Sequence, residues 1–160
     1  MNIHFSNVDF SSSTGPNTFA NRLANELSIR GYNIVDSKSD YDIFLCFIEP
    51  STVPKNNAKI VQRLDGIWFK PDEFKIKNKN IKWTYDNAKH VIWQSEFDKC
   101  MTQKWWGEKV GSIIHNGINL KQQKDIHPQL QDFRKKFKKI FVCSASWHRQ
   151  KRLKEKILIA

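Results

Sequence analysis

The sequence predicts an α/β fold, a Rossmann-like open parallel sheet with helices on both faces. Apolar runs bounded by turn residues recur along the first three quarters of the chain, and helical patterns with one apolar face alternate with them. One run, "YDIFLCFI" at 41–48, is apolar on both faces, as a strand buried in the middle of a parallel sheet must be.

In chain order, "NIHFS" (2–6) is the first strand. A helix follows the polar stretch "SSSTGPNT", with Phe19, Ala20, Leu23, Ala24 and Leu27 on one face, and ends at Gly31, whose missing side chain suits a left-handed C-terminal cap. "YNIVD" (32–36) and "YDIFLCFI" are the second and third strands; "AKIVQRL" (58–64), "KHVIWQS" (89–95) and "VGSIIHN" (110–116) are three more. Between the last two, "SEFDKCMTQKWWG" repeats the helix design. Ser95 is the N-cap with Asp98 three residues on, Phe97, Cys100, Met101 and Trp105 form one stripe, Lys104 stands near the end and Gly107 follows. The polar, basic "LKQQKDIHPQLQDFRKKFKK" breaks this rhythm and reads as a linker, with Pro128 at the start of a candidate helix. Beyond it, "IFVCSASWHRQKRLKEKILIA" is one more strand, a polar turn and a helix start with Leu153, Ile157 and Ala160 on one face. The expected domains are therefore residues 1–121, a basic linker at 122–138, and at 139–160 the first βα unit of an incomplete second domain.

A chain of 160 residues can bury a sizeable core, and one domain is the natural prior. Its 39% hydrophobic and 27% charged residues are ordinary for a globular protein, and no apolar run approaches a membrane span. No signal-peptide pattern opens the chain, so a cytoplasmic location is expected. Cys46, Cys100 and Cys143 are widely spaced in apolar patterns and read as reduced core residues, without a disulfide framework or metal pair. The net charge of +11 is unevenly distributed: residues 1–120 carry 15 Lys+Arg against 13 Asp+Glu, and residues 121–160 carry 12 against 3. Two readings of that basic end stand side by side, a lysine-rich surface and an anion site.

Open α/β sheets bind ligands at the carboxyl ends of their strands. In "STGPNT", Gly15 allows close backbone approach, Pro16 is preset for the first helical turn, and the free N–H groups beyond can meet an anion or a hydroxyl. An ordinary helix start explains the same residues. "RLDG" places Arg63 and Asp65 on alternate positions as a strand runs out, with Gly66 making the turn; a surface pair is the plainer reading. Trp68 and Phe69 beside them suit stacking on a sugar ring or burial in the core. "HNG" at 115–117 is a turn signal, and His115 beside it is an acid or base candidate with a structural alternative. No catalytic triad spacing, phosphate loop with paired glycines and lysine, or paired zinc ligands is present.

Taken in order, these loops resemble the GT-B glycosyltransferases of the retaining family-4 type. The stretches that carry the resemblance are "TGPNTFANRLANELSIRGYNI", "VQRLDGIWF", "AKHVIWQSEFDKCMTQKWWG" with "SIIHNGINL", and "VCSASWHRQKRLKEKI". The block at 88–120 is the most specific of them. The resemblance implies metal-independent transfer of a sugar from a nucleotide-sugar, which is a donor substrate and no cofactor, to a saccharide or lipid-linked acceptor. It implies that Asp65 is catalytic; that Gly15, Arg149 and Lys151 bind the donor; and that Asn17, Arg63, Gly66, Trp68, Ser95, Asn116 and Gly117 line the acceptor side or the cleft. Three departures are visible: Thr14 stands where a first glycine is commoner, "RLDG" stands where many relatives have a histidine in the fourth-strand loop, and the spacing of the second domain's basic pair falls on Ser146, with Arg149 as the nearby substitute. The family's acidic donor motif would lie beyond Ala160, so the chain by itself is expected to have little or no transfer activity. It is expected to work with a separate donor domain or a second copy through the terminal helix, with peripheral membrane contact as a further candidate. The alternative is a basic module for nucleic acid or anionic membranes, built on "FRKKFKK" and "RQKRLKEK". That alternative gives no reason for a Ser-capped helix followed by Asn-Gly, so a nucleic-acid partner is not expected.

Overall fold

The computed structural model describes residues 1–117 and 128–139. The chain divides into two units, Met1–Gly117 and Ile118–Ala160. In the first, strands β1 (Asn2–Ser6), β2 (Asn33–Val35), β3 (Ile43–Phe47), β4 (Lys59–Leu64), β5 (His90–Trp93) and β6 (Gly111–Ile113) form one open sheet in the order β2-β1-β3-β4-β5-β6. Every pairing is parallel, and Phe44, Cys46 and Leu64 are fully buried, as the apolar runs predict.

The register sorts side chains onto two faces. Ile3, Phe5, Leu45, Phe47 and Val61 point to the face covered by α1 (Gly15–Ile29), where Ala20 and Ala24 let the helix backbone come close. Leu64, Val91 and Trp93 point to the opposite face, against Ile81 and Tyr85 of α3 (Lys79–Asn87) and Trp106 of α4 (Glu96–Trp106). Helices thus cover both faces. α1 ends as its sequence requires: Gly31 has φ +82°, Tyr32 N–H donates to Leu27 C=O at 3.0 Å, and Gly31 N–H donates to Ser28 C=O at 3.0 Å.

Two sequence expectations are revised. First, α2 (Pro71–Lys77) and α3 occupy a stretch to which the sequence pattern assigns no element. The inward positions of α3 are Ile81, Thr84 and Tyr85, helically spaced but too few to stand out among the polar residues. Second, the stripe of Phe97, Cys100, Met101 and Trp105 on α4 is not the buried one: Phe97 is 63% and Trp105 54% exposed, Cys100 is exposed, and the buried residue is Thr102. Cys100 is therefore no core residue, whereas Cys46 is, with burial pushing its thiol up to about 12. The candidate helix at Pro128 is present as α5 (Pro128–Lys136), and the ring of Phe133 on it lies 6.0 Å from that of Phe137 just beyond its end. No described helix is long and apolar enough to cross a membrane. Cys143 and nearly all of the βα unit expected at 139–160, with Leu153, Ile157 and Ala160, lie outside the described residues.

Candidate functional site

The carboxyl ends of β4, β5 and β6 are tied together by one polar chain. Arg63 is the penultimate residue of β4, and strand alternation sends it to the α1 face. There its guanidinium lies 4.0 Å from the centre of the Phe19 ring and 5.4 Å from that of Phe47. Its Nη2 donates to Asn116 Oδ1 at 2.9 Å, and Asn116 Nδ2 donates to Gln94 Oε1 at 2.7 Å. The Gln94 side chain also lies near enough to the Asp65 carboxylate to lower its pKa. The backbone fixes this arrangement: Ile114 N–H donates to Trp93 C=O at 2.8 Å, and His115 Nδ1 lies 2.8 Å from Gln94 C=O. His115 is thus held in the loop by a backbone contact.

Arg63 is only 4% exposed, and burial lowers its pKa, with the negative charge of Asp65 acting the other way. Its Nη1 has no hydrogen-bond partner among the described residues, and no carboxylate lies within ion-pair distance of it there. The two phenylalanine faces, the Asn116 carbonyl and the nearby charge of Asp65 stabilise this buried cation.

Asp65 follows the end of β4, and Gly66 turns the chain with φ +139°, a conformation that side-chain-bearing residues avoid. The carboxylate is reached by solvent at the mouth of a pocket, while the protein packed round its base raises its pKa. Arg63 and Gln94 oppose that shift, and the neighbouring Asp98 adds to it. A carboxylate pushed upward is a stronger proton acceptor than an ordinary one, which is what activation of a hydroxyl needs. The pocket, about 440 Å³, joins Asp65 and Asp98 to Trp68, Phe69, Phe97 and Ile48. Trp68 and Phe69 are 45% and 47% exposed, so both belong to the site wall and not to the core. A buried asparagine aims them: Trp68 N–H donates to Asn78 Oδ1 at 3.0 Å, and Asn78 Nδ2 donates to Trp68 C=O at 2.9 Å. Ile48, β-branched yet at φ 69°, is held in that strained conformation by its N–H to Arg63 C=O and by Gln62 Nε2 donating to its C=O.

The structure therefore brings together Arg63, Asp65, Gly66, Trp68 and Asn116. Ser95 adjoins them through Asp98, but its hydroxyl is committed to the helix cap, accepting from Asp98 N–H at 3.1 Å and donating to Asp98 Oδ2 at 2.7 Å. Asn17 is likewise engaged, its Oδ1 accepting from Asp9 N–H at 3.1 Å to pin the loop before α1. Among the described residues a β-carbon at Gly15 would meet nothing within 4 Å, and Thr14 makes no side-chain cap, so no described group covers the first turn of α1 there. Among the described residues nothing crowds Gly117 either, and Arg149 and Lys151 lie outside the described residues. Sequence reasoning missed Gln94, Asn78 and Ile48. Gln94 had a signal, a polar residue where β5 runs out; the other two had none. A larger hollow, about 500 Å³, lies beside Trp83 and Trp106 but contains no member of the strand-end network, so chemistry and not size locates the site. No protein-family model and no curated protein sequence matches the chain.

Proposed function

We propose that residues 1–117 form the acceptor-side domain of a glycosyltransferase that uses a nucleotide-sugar donor. The observation that carries this reading is the placement of Asp65, with its raised pKa, at the mouth of an aromatic pocket where three parallel strands end. A saccharide ring stacks on Trp68 or Phe69, and its hydroxyls find the carboxylates of Asp65 and Asp98. Asp65 then takes the proton of the attacking hydroxyl as the glycosidic bond forms and the nucleoside diphosphate leaves. Gln94, Asn116 and Arg63 form a hydrogen-bonded network beside Asp65, and Gln94 and the Arg63 charge favour its ionised form. Gly15 at the open first turn of α1, together with Arg149 and Lys151, is the proposed contact for the donor diphosphate.

Saccharide binding to the full chain tests the reading. Ligand-detected NMR across a panel of mono- and disaccharides is expected to show millimolar binding that Trp68→Ala weakens about tenfold, the share of one stacked ring. Asp65→Asn is expected to leave binding within about threefold while abolishing transfer in the complete enzyme. Saccharide binding that ignores Trp68→Ala, or transfer that survives Asp65→Asn, would remove the assignment.

A further inference from the structure

The hollow of about 500 Å³ beside Trp83 and Trp106 has a neighbour of about 390 Å³, and Trp83 and Asn80 of α3 line both. The two residues thus form a ridge between two hollows. α3 buries Ile81, Thr84 and Tyr85 on its inner side, which turns Trp83 outward and leaves it 45% exposed. Trp83 packs in none of the core clusters.

Both outer walls are fixed. Across the smaller hollow stands the segment 50–54, whose backbone Pro50 and Pro54 restrict. Ser51 N–H donates to Ser6 Oγ at 3.0 Å, Ser51 Oγ accepts from Asn7 N–H at 2.9 Å, and Lys55 N–H donates to Tyr41 Oη at 3.1 Å. Across the larger hollow, Phe74 rests on Trp105 with ring centroids 5.3 Å apart, and Trp106 on Tyr85 at 5.4 Å. Each volume falls within the roughly 300–1,000 Å³ of small-molecule sites, and walls held in this way cost a ligand little ordering.

Charge and hydrogen-bonding capacity together select the ligand. No charged residue lines the smaller hollow. At the larger one, Lys75, Lys79 and Lys82 are offset by Asp86, which pairs with Lys82 at 2.7 Å, and by Asp72, one turn before Lys75 on α2. Three cations against two anions call for no anionic partner. The side-chain amide of Asn80, with its acceptor and two donors, has no partner among the described residues; only its backbone C=O is engaged by a side chain, that of Thr84 at 2.9 Å. A pyranose ring suits both residues, since its C–H face lies on an indole and its hydroxyls donate to and accept from an amide. A proline-rich chain would also lie on the indole, but its ring nitrogens donate nothing to the Asn80 carbonyl.

We propose that Trp83 and Asn80 form a glycan-binding site, separate from the Asp65 pocket, that takes two or more linked neutral sugar rings, one in each hollow. The site stands on its own geometry. Its consequence for the acceptor rests on the sugar-transfer reading: where that reading also holds, the acceptor is an oligosaccharide or longer chain, retained on α3 beyond its reacting end.

The full chain, labelled with 15N, is titrated with cellotetraose, maltotetraose and chitotetraose, and with glucose and N-acetylglucosamine. The indole N–H signal of Trp83 is identified by its loss in Trp83→Phe. At least one tetrasaccharide is expected to shift that signal and to bind about fivefold more tightly than its monosaccharide, the share of a second ring. Trp83→Ala is expected to weaken this binding about tenfold and Asn80→Ala about fivefold, whereas Trp83→Phe, which keeps a ring, stays within about threefold. The remaining indole signals report whether each variant is folded. Absence of a shift from every tetrasaccharide overturns the proposal, and so does octaproline shifting the signal where no saccharide does. Tetrasaccharide binding that Trp83→Ala leaves unchanged, or that is no tighter than monosaccharide binding, overturns it too. Trp68→Ala separates the two sites. Tetrasaccharide binding lost with Trp68 and kept without Trp83 removes the α3 site and leaves the sugar-transfer reading, and the opposite pattern removes the aromatic wall of that reading and leaves the α3 site.

Discussion

Two helices of this sheet, α1 and α4, share one sequence design and are held in opposite ways. Each has a Ser or Thr before its first turn, an apolar stripe, and a glycine with positive φ after its end. α1 buries its stripe: Ala20 is fully buried, and Phe19, Leu23 and Leu27 pack on the same core. Its N-cap, Thr14, makes no side-chain hydrogen bond. α4 exposes its stripe and is fixed at its start, where Ser95 and Asp98 exchange hydrogen bonds. An apolar stripe therefore states that something will cover it and does not state what. On α1 the cover is the sheet; on α4 the sheet side is taken by Thr102 and Trp106, and Phe97 and Trp105 of the stripe stay exposed.

The largest effects follow from packing. Ala20→Leu adds three carbons where the helix backbone touches β1 and β3, and is expected to cost about 1–3 kcal/mol of unfolding free energy. Phe97→Ser, which removes far more apolar volume from α4, is expected to change stability by no more than about 0.5 kcal/mol. Urea denaturation of both variants checks the pair; a larger loss from Phe97→Ser would show that the outer stripe of α4 is core after all.

The caps reverse the ranking. Ser95→Ala leaves Asp98 N–H without its acceptor and is expected to cost about 1 kcal/mol. Thr14→Ala removes no cap hydrogen bond and is expected to fall within about 0.5 kcal/mol of the wild type. Equal losses would erase the contrast between the two helix starts.

The same contrast explains what could be read in advance. All six described strands were legible, because strand ends are marked by turn residues and buried strands by runs of β-branched and aromatic residues. α1 and the Ser95 cap were legible from local spacing alone. α2 and α3 were not, because their packing rests on a few positions such as Ile81 and Tyr85, scattered among lysines and asparagines. At the site, Arg63, Asp65 and Asn116 were visible as polar residues at strand ends, but the bond from Arg63 to Asn116 spans 53 residues of sequence and has no local signature. The clamp of Asn78 on Trp68 and the strained Ile48 depend on where three separate loops meet, which no residue pattern encodes.

The smallest effect separates the site from its helix. Asp65 touches the α4 cap region through the charge of Asp98, and its pKa is raised chiefly by burial. In the window between the ordinary carboxylate range and that raised value, the folded protein holds the proton that the unfolded chain has released. Stability therefore falls as pH rises through the window, and above it the whole penalty is present. Asp65→Asn has no such proton to lose, so its melting temperature is expected to exceed that of the wild type at pH 7. The difference should shrink as pH is lowered towards the ordinary carboxylate range, and thermal scans of both proteins from pH 4 to pH 7 measure it. A difference that does not vary with pH would mean that the ionised carboxylate is at ease in its pocket. Asp65 would then lose its claim to be the stronger proton acceptor, although the aromatic wall beside it could still hold a sugar.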